Sequence, residues 1–145
     1  MAEHVAGRAT TFDKVEILEE HMHSLACVYP TLAAGVLVES DAVSWTLGGF
    51  VEIIPANTIG EDFDVHWMNI EGATVADVYE LVIYAAEVEI SRKRFTVSVV
   101  VGNKTALPPV SIQMQIQPKN TQIQTKVASA IGGSDVTISF EYHTY

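Results

Sequence analysis

At 145 residues, with 48% hydrophobic and 18% charged side chains, the chain is sized for one domain and is too apolar for disorder. Eight Lys and Arg against 18 Asp and Glu leave a net charge of −10, which excludes bulk electrostatic binding to a phosphate backbone, so no nucleic-acid partner is expected. A single cysteine excludes an internal disulfide and a multi-cysteine zinc site.

Other global features restrict the class further. No apolar run approaches the roughly 18 residues of a membrane span. The opening segment, with Glu3, His4 and Arg8, has no apolar core of the kind a secretory leader needs. The expectation is a soluble protein made in a reducing compartment, without a membrane partner.

In chain order, residues 1–20 stand apart as an N-terminal arm, and residues 21–145 form the folded domain. Met1 to Thr11 show no periodicity. Phe12, Val15, Ile17 and Leu18 are set among Asp13, Glu16, Glu19 and Glu20. This pattern suits either one short amphipathic helix or an extended arm that orders on a partner.

From His21 onward the period is two. Val36 and Val38 lie between Gly35 and Ser40-Asp41. Val43, Trp45 and Leu47 alternate with polar residues. The run Phe50 to Ile54 is stopped by Pro55. Phe63, Val65, Trp67 and Asn69 alternate with Asp64, His66, Met68 and Ile70, which assigns Trp67 to an apolar face by simple parity. Apolar runs follow at 78–84, 88–90 and 95–101. Alternating segments end the chain at 112–117, 123–127 and 136–143. Short strands at this spacing, rich in Val, Ile, Thr and aromatics, predict an all-β antiparallel sandwich of jelly-roll type.

A weak internal duplication supports the jelly roll. Ile53-Ile54-Pro55-Ala56-Asn57-Thr58 matches Ile116-Gln117-Pro118-Lys119-Asn120-Thr121, 63 residues later. Asp77-Val78 with Tyr84 matches Asp135-Val136 with Tyr142, 58 residues later. Proline ends a ladder, and Asn tolerates left-handed backbone. Two pseudo-equivalent halves suit a double Greek key, and good turn chemistry occurring twice is the simpler alternative.

Candidate sites are few. His21 and His23 fall on one strand face, without a further Cys or His nearby to complete a metal site. Asp62, Asp64 and His66 also share a face, but the calcium-loop spacing is absent and a solvated strand face is expected. Neither group is assigned a metal, and no cofactor is expected. Arg92-Lys93-Arg94 holds three of the eight basic residues and reads as a loop that offsets Glu87 and Glu89, or as a contact patch for an acidic partner or a second subunit. Trp45 and Trp67 read as core residues and Cys27 as a buried small hydrophobe. No phosphate loop, nucleophile elbow, zinc-protease or dinucleotide fingerprint is present, so no enzyme is expected.

The segments His23-Ser24-Leu25, Tyr29-Pro30, Trp45-Thr46-Leu47-Gly48, Ile53 to Ile59, Asp62 to Trp67, Val78 to Tyr84 and Tyr142 to Tyr145 resemble small virion proteins of tailed bacteriophages. In particular the chain looks like jelly-roll capsid decoration, or cement, proteins. The likeness covers residues 21–145 and is one of sequence style, without a catalytic signature. It implies a homotrimer on the capsid surface that clamps neighbouring major capsid protein subunits. Phe12, Val15, Ile17 and Leu18 of the arm, and Arg92, Lys93 and Arg94, are the candidate contacts with capsid or neighbouring subunit. The alternatives are a carbohydrate- or receptor-binding jelly-roll module of a head fibre or tail, and a small β-sandwich enzyme or metal-dependent cupin-like protein, which needs a cluster of inward-facing His and carboxylates.

Overall fold

The structure, a computed structural model, describes residues 26–98 and 107–145. The arm with Phe12, Val15, Ile17 and Leu18, and the pair His21 and His23, lie outside the described residues. Among the described residues all regular structure is β. The strands are β1 (Cys27–Tyr29), β2 (Val36–Glu39), β3 (Val51–Ile54), β4 (Phe63–Ala73), β5 (Asp77–Ala85), β6 (Val88–Val97), β7 (Val110–Ser111), β8 (Ile123–Ser129) and β9 (Asp135–Thr144).

Two antiparallel sheets form. The first runs β1-β9-β4-β7, with β2 also pairing β9, and the second runs β3-β8-β5-β6. The chain switches sheet at each connection except two, β1–β2 within the first sheet and the tight β5–β6 hairpin, where Ala86 and Glu87 both take positive φ. This is jelly-roll topology, with β1 and β2 together in the place of the first strand. The sandwich predicted from the period-two pattern is therefore the fold.

The duplication maps onto this topology. Moving β2–β5 onto β6–β9 carries β2-β9-β4-β7 onto β6-β5-β8-β3, which is the second sheet read from its other edge. The two Pro-x-Asn-Thr turns meet at one end of the sandwich. The Asn57 N–H donates to the Asn120 carbonyl at 3.1 Å, and the Asn120 N–H donates to the Ile59 carbonyl at 2.7 Å. Both asparagines are left-handed, with φ of 63° and 66°, the conformation Asn adopts at low cost.

The core lies between the sheets. Val38, Phe63, Val65, Met68, Ile138 and Phe140 from the first sheet face Ile53, Tyr79, Leu81, Ile83, Ile123 and Val127 from the second. Each such side chain contributes about 1.5–3 kcal/mol by leaving water. Tyr79 is fully buried. It stacks on Phe95 at 5.6 Å and satisfies its hydroxyl by donating to the Val75 carbonyl at 2.6 Å.

Four sequence expectations are corrected. Val43, Trp45 and Leu47 do not form a strand. Residues 40–48 are a loop whose N–H groups bond the β8–β9 region, Trp45 N to Ser129 O at 2.9 Å and Gly48 N to Val127 O at 3.0 Å. Residues 112–117 do not form the expected strand: they keep the Ile112 N–H bond to the His66 carbonyl and a bridge between Gln117 and Phe63. The tryptophans are not core residues: Trp45 is 45% and Trp67 41% exposed. Cys27 is half-buried, short of the full burial expected of it.

Trp67 is displaced by a β-bulge. Val65 pairs Tyr142 while Trp67 pairs Glu141, so His66 is an extra residue on β4. Phe63 and Val65 point inward before the bulge, and Met68 and Ile70 point inward after it. Both His66 and Trp67 are thereby turned outward.

Candidate functional site

Two constructions stand out on the surface, one on each sheet. The first is the outer face of the second sheet. Period two splits the basic triplet, which is mid-strand in β6 and not a loop. Arg92 and Arg94 share the outward face of Val82 and Glu80, their partners in register, whereas Lys93 is on the face of Leu81.

The outward arginines are already paired within the chain. Arg94 donates to Glu80 Oε2 at 2.7 Å, and Arg92 donates to Glu80 Oε1 at 2.6 Å and to Glu89 Oε1 at 3.0 Å. The Arg94 hydrogen bond, then that of Arg92, holds the Glu80 carboxyl below its ordinary range against the opposing effect of burial. The Arg92 hydrogen bond does the same for Glu89. The triplet does offset neighbouring carboxylates, but Glu80 takes the place expected of Glu87.

Aromatic rings complete this face. The Arg94 guanidinium lies 4.6 Å from the centre of the Trp45 ring. Lys126 Nζ lies 4.0 Å from the centre of Phe50, and Phe50 meets Tyr84 edge to face at 4.9 Å. Val82 sits between Lys126 and Arg92 in register and has no exposed surface although it points outward. The result is a patch of aromatics and cations fixed by one another.

The second construction lies on the outer face of the first sheet. Asp64 of β4 is directly opposite His143 of β9, and the bulge turns His66 toward both. Asp64 Oδ1 is 2.9 Å from His66 Nε2. The His66 and His143 rings are 4.1 Å apart between centres, tilted by 43°. Tyr145 donates its hydroxyl to Asp64 Oδ1 at 3.1 Å. Burial, and then the Asp64 charge, raise the Tyr145 hydroxyl above its ordinary pKa. The backbone is pinned on the other side, where Ile112 N–H donates to the His66 carbonyl at 2.8 Å.

Beside Asp64 and His66 is a cavity of about 310 Å³, walled by Trp67 and residues 111–114. One potential ligand atom from each of Asp64, His66 and His143 falls within 4.8 Å of the others. The sequence pattern placed Asp64 and His66 on one face but grouped them with Asp62. Asp62 instead accepts from Lys119 N at 2.9 Å, at the chain turn. Nothing in the local sequence pointed to His143, which is 77 residues from His66 and reaches it only through strand pairing.

No family model matches the chain, and no curated protein matches it. Among solved structures it is similar to an Eiger TNF from S. frugiperda, with 13% identity, a TM-score of 0.34 and coverage of 84% of this chain and 92% of that one.

Proposed function

We propose that the protein is a non-enzymatic structural subunit of a tailed-phage virion. In this reading it decorates the expanded capsid as a homotrimer that binds between major capsid protein subunits. The observation that carries the reading is the outer face of the second sheet. Trp45 and Phe50 are exposed there but already held by Arg94 and Lys126. Aromatics and arginine dominate binding energy at protein interfaces, and side chains fixed before binding lose little entropy. The resemblance of residues 21–145 to cement proteins supplies the partner.

The mechanism is thermodynamic. A subunit that binds only the expanded shell stabilises that shell by mass action. Three linked copies add avidity where geometry lets all of them engage. The test is co-sedimentation with expanded and unexpanded heads, using the natural chain and Trp45→Ala. Retention on expanded heads only, weakened at least about tenfold by Trp45→Ala, is the expected result for a hot-spot residue. Absence of binding to expanded heads rejects the assignment.

A second reading, a carbohydrate- or receptor-binding module, is favoured by one feature. Trp67 is exposed beside a cavity that also presents Asp64, His66 and Gln113, which suits stacking on a sugar ring with polar groups at its rim. Glycan binding that is lost on Trp67→Ala supports this reading over the first.

A further inference from the structure

We propose that Asp64, His66 and His143 form a binding site for a divalent transition ion of the zinc class, held between β4 and β9. The inference is independent of the virion assignment. It starts from ligand chemistry. Two imidazoles and one carboxylate suit zinc and its neighbours, whereas calcium and magnesium require a full set of oxygens.

The geometry fits with little movement. Zinc bonds of 2.0–2.2 Å in a tetrahedron place ligand atoms roughly 3.3 Å apart. The three candidate atoms already lie within 4.8 Å of one another. His66 Nε2 and Asp64 Oδ1, at 2.9 Å, need only separate by a few tenths of an ångström. The tilted ring pair at 4.1 Å lets both imidazoles turn a nitrogen toward a shared point.

The fold supplies what a fixed site needs. Asp64 and His143 are cross-strand partners. His66 joins them only because the bulge adds one residue to β4, and bulges of this kind re-aim a side chain. Tyr145 donates to the same Asp64 Oδ1 at 3.1 Å, and outer-shell hydrogen bonds of this kind orient a ligating carboxylate. Asp64 and His66 both line the cavity of about 310 Å³, from which water would complete the shell of a bound ion. The bound ion would tie the last strand to β4 by coordinate bonds in addition to the ladder.

The sequence contains three further histidines, His4, His21 and His23, and the experiment must separate them from the site. Tag-free, full-length protein is freed of metal and titrated with Zn²⁺ against a chromophoric chelator. Co²⁺ serves as a second probe, read by its visible absorption. The expected result is one Zn²⁺ per chain and an intense tetrahedral Co²⁺ spectrum. His66→Ala and His143→Ala each weaken binding at least about a hundredfold, and Tyr145→Phe weakens it about tenfold through the orienting hydrogen bond. The triple variant His4→Ala, His21→Ala, His23→Ala binds as the natural chain does. Circular dichroism confirms that each variant is folded, and Asp64→Asn, which keeps size and shape, replaces any variant that is not. The proposal is overturned by absence of stoichiometric Zn²⁺ binding, by binding that survives His143→Ala, by binding that disappears in the triple variant, or by displacement of Zn²⁺ by equimolar Ca²⁺.

Discussion

Two adjacent glycines provide a matched experiment on how the aromatic face is held in place. Gly132 and Gly133, between β8 and β9, have φ of 78° and 64°. An alanine at either position bears the left-handed penalty of about 1–2 kcal/mol, partly offset by about 0.4–1 kcal/mol of lost freedom in the unfolded chain. Their surroundings differ. A Cβ on Gly133 meets nothing within 4 Å, whereas one on Gly132 overlaps the Ala42 carbonyl oxygen and lies 2.9 Å from Ser44 N. These are backbone atoms of the 40–48 loop and cannot rotate away.

Relieving that overlap adds about 1–3 kcal/mol, the usual range for overpacking. Gly133→Ala should therefore cost about 1 kcal/mol and Gly132→Ala about 2–4 kcal/mol. The displaced loop carries Trp45, whose N–H bonds Ser129 O at 2.9 Å. Gly132→Ala should thus also alter tryptophan fluorescence and its quenching by iodide, while Gly133→Ala should not. Urea unfolding gives the stabilities; with a slope of about 2 kcal/mol per molar, the midpoints of the two variants should differ by about 0.5–1.5 M. Equal midpoints, or unchanged Trp45 quenching in Gly132→Ala, would refute the claim that this turn fixes the loop.

Two further expectations concern the same scaffold. Tyr79→Phe leaves the Val75 carbonyl without its 2.6 Å partner and should cost about 1–2 kcal/mol in urea unfolding; no change would mean that the hydroxyl contributes nothing to stability. Stability should fall at both pH extremes. Arg94 and Arg92 hold Glu80 below the ordinary value of 4.5, so its contribution is complete above that pH and is lost as pH falls through the depressed value. Burial raises Tyr79 and Tyr145 above 10.0, so their contribution is complete below pH 10 and is lost as pH rises through the raised values. A Glu80→Gln variant that keeps the full acid dependence of the natural chain would contradict the role given to this ion-pair cluster.

The architecture was legible in the sequence because burial of one sheet face enforces period two, and because Pro55 and Pro118 with their asparagines mark equivalent turns. The misreadings have specific causes. Simple alternation placed Trp67 inside because one extra residue, His66, reverses the parity of β4. The switch from Phe63 and Val65 to Met68 and Ile70 was the available signal. Val43, Trp45 and Leu47 alternate as a strand would, yet their backbone hydrogen bonds go to the β8–β9 turn, a choice made by tertiary contacts. The Arg92 to Arg94 triplet was visible as charge, but its division between two faces depends on β6 being a strand. His143 could not be joined to His66 from sequence, since that contact exists only through the β4–β9 register.

Assembly as a trimeric decoration subunit is tested most directly by the native molar mass from light scattering on a sizing column at low and high salt. A decoration trimer has three times the chain mass of 15.8 kDa and should persist at high salt, where only exposed charge pairs are screened. A monomer at both salt concentrations would contradict it.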